Sequence, residues 1–459
     1  MPSGRGAMEQ PNATGDGDLA LTREFWLLLV ATGLATGLFG DLLMLVLNSV
    51  IHLAFGGSTA TFRSAVESTP WQRRTVVLAV GGLVTGLGWY LLRRLTAGRS
   101  SDLDDAVWTG TGELSFRRSF LSGLLSEVAV GVGASLGREA APKLMGAVSG
   151  SILARWRGLT PAQRRLLVAC GGGAGMAAVY NVPLGGALIA AEILYGSLRL
   201  PVVLPALVCT VIATVTSWLY LPVHATYTAV PAFPVTATQL VWAVVAGPVI
   251  GLVAVPYIRL IGWVSHHRVS GAWSAAAPAV AFAVLGVVAI AYPQLLGNGQ
   301  DMAQQAFLGH ATLGVTFALF ALKPIVTALC LGAGATGGLF TPTLSSGAML
   351  GAFLGLVWSH LWPGAPAGGY ALIGAAALLA AGTQAPLSAL VLIVELTHTG
   401  DTLIVPIIAA AAGATLVARY VDGYSIYSAR LPRASAHGPF PRGGTLNPGD
   451  EPARRVEGA

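Results

Sequence analysis

"GASLGREAAPKL", residues 133–144, decides how the rest of this chain is read. Arg138, Glu139 and, three residues on, Pro142 interrupt an otherwise apolar stretch. An ionisable side chain at membrane depth costs roughly 2.5–3.5 kcal/mol on insertion scales, so such residues face a cavity or an ion path. The sequence on either side decides whether this stretch lies at that depth.

Of 459 residues, 54% are hydrophobic and only 10% are charged, with a mean hydropathy of +0.69. A soluble domain carries about 25% charged residues, so the composition predicts a polytopic membrane protein in contact with lipid. The 59 glycines suit helices that pack through small residues instead of a hydrophobic drive. Cys170, Cys209 and Cys330 sit in apolar runs without CxxC spacing and read as small buried hydrophobes. The eight histidines form no HExxH spacing and lie mostly near segment ends. No enzyme, metal or cofactor is therefore expected. The net charge of +6 comes mainly from arginines in loops and tails; in a membrane protein it reports orientation before any nucleic-acid partner. Residues 1–22 and 431–459 are polar and read as disordered tails, and no cleavable signal peptide is evident.

The apolar run 119–154 spans 36 residues, too long for one crossing of about 20 residues and marginal for two. Arg93, Arg94, Arg99, Arg117 and Arg118 precede it, and Arg155, Arg157, Arg164 and Arg165 follow. The excess of positive charge on cytoplasmic loops puts both clusters on one side, so the chain must enter and return. The turning point falls at GREAAP, and irregular backbone at that depth survives only inside protein or beside a wet cavity. Both termini are expected in the cytoplasm.

The sequence also resembles itself. "NVPLGGALIAAE" (181–192) matches "QAPLSALVLIVE" (384–395) at an offset of 203, and "GASLGREAAPKLMG" (133–146) matches "GATGGLFTPTLSSG" (334–347) at an offset of 201. Two matches at nearly one offset predict two inverted-topology repeats, about 25–222 and 236–430, with broken helices in corresponding places and a site between them.

Each break is a glycine-rich segment opening into a helix whose first N–H groups lack internal partners. Such an end carries about half a positive charge and attracts anions. One follows Gly137 and another follows Gly338; the alternative is an ordinary Gly/Pro kink between packed helices. Glu139 admits two readings. As an anion it would occupy an anion site and leave when protonated, which is a gate; otherwise it pairs with Arg138 or caps a first turn.

GREAAP, GGLFTP, YNVPLGGALIAAE, QAPLSALVLIVELT and the late IYSARL stand in the order and spacing of the CLC family of chloride channels and chloride/proton antiporters, which the chain resembles over roughly residues 25–430. "YPQLLGNGQ" (292–300) resembles the loop before the second half. The resemblance implies an all-α membrane fold of two inverted repeats without CBS domains, homodimers with one pathway per chain, and transport of chloride or a similar small anion. Glu139 then matches the gating glutamate. Gly338, Leu339 and Phe340 match the helix start whose amides hold the anion, and Tyr427 matches the anion-coordinating tyrosine.

The chain also departs from the family. Where a GSGIP segment is expected it reads AGRSS (97–101), with Gly98 at the serine position, so Ser100 or Ser101 serves only if the loop shifts. The internal proton glutamate should directly follow Glu192, but the next residue is Ile193. The remaining proton-relay candidates are Glu192 itself and Glu127, twelve residues before Glu139; a helix-packing role competes for Glu127. Anion conduction, channel-like or weakly proton-coupled, is the resulting expectation. Antiport through Glu127 or Glu192, a cation-coupled carrier and an intramembrane enzyme are the alternatives.

Overall fold

At membrane depth a backbone must satisfy its own hydrogen bonds, and a chain so poor in charge does so with helices. The computed structural model describes residues 19–56, 62–96 and 113–431, and these contain sixteen α-helices and no β-strand. The first half holds α1 (Arg23–Phe55), α2 (Phe62–Ser68), α3 (Trp71–Leu95), α4 (Phe116–Gly131), α5 (Ala140–Trp156), α6 (Pro161–Tyr180), α7 (Pro183–Leu188) and α8 (Leu200–Ser217). The second holds α9 (Ala237–His266), α10 (Ala277–Ala291), α11 (Gln300–Phe307), α12 (Leu313–Gly332), α13 (Phe340–Ser359), α14 (Ala367–Thr383), α15 (Pro386–Thr397) and α16 (Ile404–Val421). A π-helical turn, Ile189–Tyr195, continues α7. Most of both expected tails falls outside the described residues.

Among the described residues, seven helices are long and apolar enough to cross a membrane: α1, α3, α8, α9, α12, α13 and α16. Their lengths vary widely. The 33 residues of α1 extend about 50 Å, well beyond a hydrocarbon core of about 30 Å, and such a helix tilts. The 12 residues of α15 extend about 18 Å and stop inside. α4 and α5 run antiparallel: the Leu114 N–H bonds Ser151 Oγ at 3.2 Å, and at the other end Gly123 lies beside Ala141. The chain does enter and return, with its apex at residues 132–139. On the arginine side, Arg164 pairs with Glu113 at 3.1 Å.

The repeats are visible in the backbone. Gly133 and Gly334, 201 residues apart, have φ of +109° and +96°, a region that only glycine enters freely. α6 and α14 both end on a left-handed residue, Asn181 at φ 56° and Gln384 at φ 58°, and each gives way to a proline-started helix. Close packing of helix pairs rests on glycine: a Cβ at Gly146 would strike the Gly171 carbonyl of α6, and one at Gly171 the Gly146 carbonyl of α5. Without water to drive association, such backbone proximity supplies the dispersion contacts that hold membrane helices together.

The halves also cap each other. Glu192 accepts from the N–H groups of Leu387 (3.3 Å) and Ser388 (2.7 Å) and from Ser388 Oγ (2.7 Å), all at the start of α15. Reciprocally, Glu395 on α15 accepts from the N–H groups of Leu184 (3.0 Å) and Gly185 (2.6 Å) at the start of α7. Each carboxylate compensates the positive end of the other repeat's helix. Replacing Glu192 or Glu395 by alanine should destabilise the protein by about 1–3 kcal/mol, the range for hydrogen bonds to a charged group. A lowered thermal unfolding midpoint of the detergent-solubilised protein, at fixed scan rate, is the expected reading; two unchanged midpoints would mean the caps carry no stability.

Candidate functional site

The two glycine-rich breaks meet. Gly137 N–H donates to the Gly338 carbonyl at 2.7 Å and Gly338 N–H donates to the Gly137 carbonyl at 2.8 Å, an antiparallel bridge between equivalent positions of the two repeats. An antiparallel pair has a local two-fold axis through its centre, so the pseudo-symmetry axis of the molecule passes here. α5 and α13 both start beside it.

Glu139 is 2% exposed and reaches across this axis. Its Oε1 accepts from the Phe340 N–H at 2.8 Å. Its Oε2 accepts from Tyr180 Oη at 3.1 Å and Thr341 Oγ1 at 3.3 Å, and those two hydroxyls are 2.6 Å apart. Although Glu139 stands at the N-cap of α5, its side chain caps no N–H there; it occupies the positive end of the opposite helix. Two glycines make room for it. A Cβ at either Gly137 or Gly338 would overlap the Glu139 carboxyl group.

Two cavities lie near this site. One, of about 410 Å³, is lined by Glu139, Lys143, Gly338, Leu339 and Tyr427 and, toward its mouth, by His266, Arg268 and Arg430. The other, of about 690 Å³, is lined by Arg138, Asn298, Asp301, His52 and His224 among others. Arg138 and Glu139, consecutive in the chain, line different cavities. Arg138 lies over the Tyr180 ring at 4.8 Å, holding the phenol whose hydroxyl meets Glu139.

The sites expected from sequence fall as follows. Gly338, Leu339 and Phe340 lie at the start of α13, with Leu339 at its N-cap. Tyr427 lines the smaller cavity, carried on a segment tied back to α14 by the Ile426 N–H to the Gly382 carbonyl at 2.8 Å. Glu192, a candidate proton relay, lines neither cavity, and both its oxygens are engaged at the start of α15. Glu127 is fully buried and neither oxygen has a hydrogen-bond partner. One turn to each side of it on α4, Gly123 lines the smaller cavity and Val130 the larger. Gly98, Ser100 and Ser101 lie outside the described residues.

Three contributors escaped the sequence reading. Tyr180 and Thr341 stand inside motifs quoted above, but nothing in the linear order says that they converge on Glu139. Lys143 had a clearer signal, since it follows Glu139 by four residues and therefore shares its helix face. Another lysine, Lys323 on α12, is fully buried and donates to the Leu295 (3.2 Å) and Gly297 (2.8 Å) carbonyls. It fixes the 292–300 loop against the larger cavity.

A family profile described as "Voltage gated chloride channel" matches residues 81–419. The chain is 32% identical over 383 residues to a voltage-gated ClC-type chloride channel ClcB of Salmonella dublin, covering 80% of this chain and 89% of that protein. It is 34% identical over 384 residues to a putative ClcB-like chloride channel protein of Ralstonia nicotianae, covering 81% and 88%. An H(+)/Cl(-) exchange transporter ClcA of Yersinia pestis is 32% identical over 319 residues, 67% of this chain and 66% of the other. Among solved structures, a slow cyanobacterial Cl-/H+ antiporter superposes with a TM-score of 0.78 at 22% identity, over 91% of this chain and 99% of that one. That likeness establishes the same fold. From the profile, the relatives and a two-fold pair of broken helices meeting at Gly137 and Gly338, it follows that this chain is a member of the voltage-gated chloride channel (CLC) family.

Proposed function

We propose that this protein moves chloride or a similar small anion across the cell membrane, along a path through the two cavities that Glu139 closes. One observation carries the reading: a carboxylate that lines the smaller cavity sits on the Phe340 N–H, where an anion would bind, and the adjacent Arg138 lines the larger cavity. Protonation removes the charge that holds Glu139 there, so flux rises as pH falls. The relatives named as chloride channels and as a proton/chloride exchanger support anion as cargo. The arginines around the smaller cavity support a cytoplasmic position for it and for both termini. The family resemblance implies a homodimer with one path per subunit; light scattering in detergent should then read twice the chain mass of 46.9 kDa.

Proton coupling is the finer question. Ile193 cannot carry a proton, and the Glu192 oxygens are committed to α15, which favours passive or weakly coupled conduction. The unpartnered Glu127 carboxyl, between residues that line the two cavities, favours the second reading, an antiporter using Glu127. A reversal potential under a pH gradient at symmetric chloride separates them. A value of zero supports the channel; a clear shift that Glu127→Gln abolishes supports the antiporter.

The gate has two independent tests in chloride efflux from liposomes. Glu139→Gln should raise flux at neutral pH and flatten its pH dependence. Gly338→Ala, which leaves the carboxylate in place but fills its seat, should do the same. Unchanged flux and pH response in both folded variants would remove Glu139 from the gate.

A further inference from the structure

The smaller cavity carries a charge that the gate does not explain. Among the described residues that line it, Glu139 is the one acid, beside Lys143, Arg268 and Arg430. The two arginines stand at the mouth, where they raise the local concentration of an anion. Lys143 stands deeper and is only 7% exposed. Its N–H bonds the Glu139 carbonyl at 3.1 Å, so it lies one turn along α5 from the gate. Its ammonium is 4.9 Å from the centre of the Tyr427 ring. The same lysine thus reaches from the gate's own helix to the residue expected to coordinate the anion. Leu339, at the N-cap of α13, lines the same space.

We propose that Lys143 is the cationic ligand of the transported anion, completing a site with Tyr427 and the amides at the start of α13. An ammonium gives a charge-assisted hydrogen bond, about twice as strong as one from a neutral hydroxyl. It supplies a donor and a full positive charge beside Tyr427. The ammonium is a compact point charge with rotatable donors, which suits a small monovalent anion and sets no planar geometry. Anion binding here also competes with Glu139: a filled site beside Lys143 places negative charge near the carboxylate and favours its departure. Chloride on the cytoplasmic side would then promote opening.

This inference rests on the anion-transport reading, and its test keeps the two apart. Chloride and bromide are titrated calorimetrically into the purified full-length protein, and efflux from liposomes is measured against chloride concentration. Lys143→Met should weaken binding between about tenfold and a hundredfold, the range for losing a hydrogen bond to a charged group, and raise the half-saturating chloride in parallel. Lys143→Arg, which keeps the charge, should restore most of both; a purely structural role would not be rescued by so different a shape. If Lys143→Met does not fold, Lys143→Gln decides by the same titration. Wild-type affinity in the charge-removed variant overturns the role of Lys143 while leaving transport intact. Absence of chloride flux in the wild type overturns transport itself.

Discussion

The pair of hydrogen bonds joining Gly137 to Gly338 is the contact on which the rest depends. It brings the two breaks together at a two-fold axis, so the positive ends of α5 and α13 start from one point. It also requires two residues without side chains, because the space beside them holds the Glu139 carboxylate. A helix end at membrane depth needs compensation for its unpaired N–H groups. Here a carboxylate from the opposite repeat provides it at α13, and a negatively charged cargo can take its place.

The same exchange recurs away from the axis. Glu192 and Glu395 each neutralise the start of the other repeat's short helix. Those carboxylates fasten the two halves, and no cavity described above touches them. Glu139 differs in lining a cavity, with the adjacent Arg138 lining a second. The chemistry of the three acids is alike; access to water and ions separates a fastener from a gate.

Buried charge is resolved differently at each place. Lys323 is absorbed by two backbone carbonyls, Arg138 lies on the Tyr180 ring, and Lys143 faces the cavity beside Tyr427. Glu127 has no hydrogen-bond partner at all. A buried polar group left so is expensive, which is why the proton question converges on it.

The sequence by itself determined the class and the repeats, and it singled out Glu139. Low charge and high glycine content required membrane helices; the offsets of 201 and 203 announced two halves. A carboxylate among glycines marked the break where the two halves meet. These are local or periodic signals, carried by neighbours in the chain. Tertiary structure alone decided which helix Glu139 serves, because its partners lie 41 residues away at Tyr180 and about 200 away at Phe340 and Thr341. It also decided that Glu192 fastens α15 and that Lys143 meets Tyr427, whose residues lie far apart in the chain. Hydrogen bonds and cation–π contacts form between surfaces that folding brings together, and a single chain order does not encode which surfaces those are.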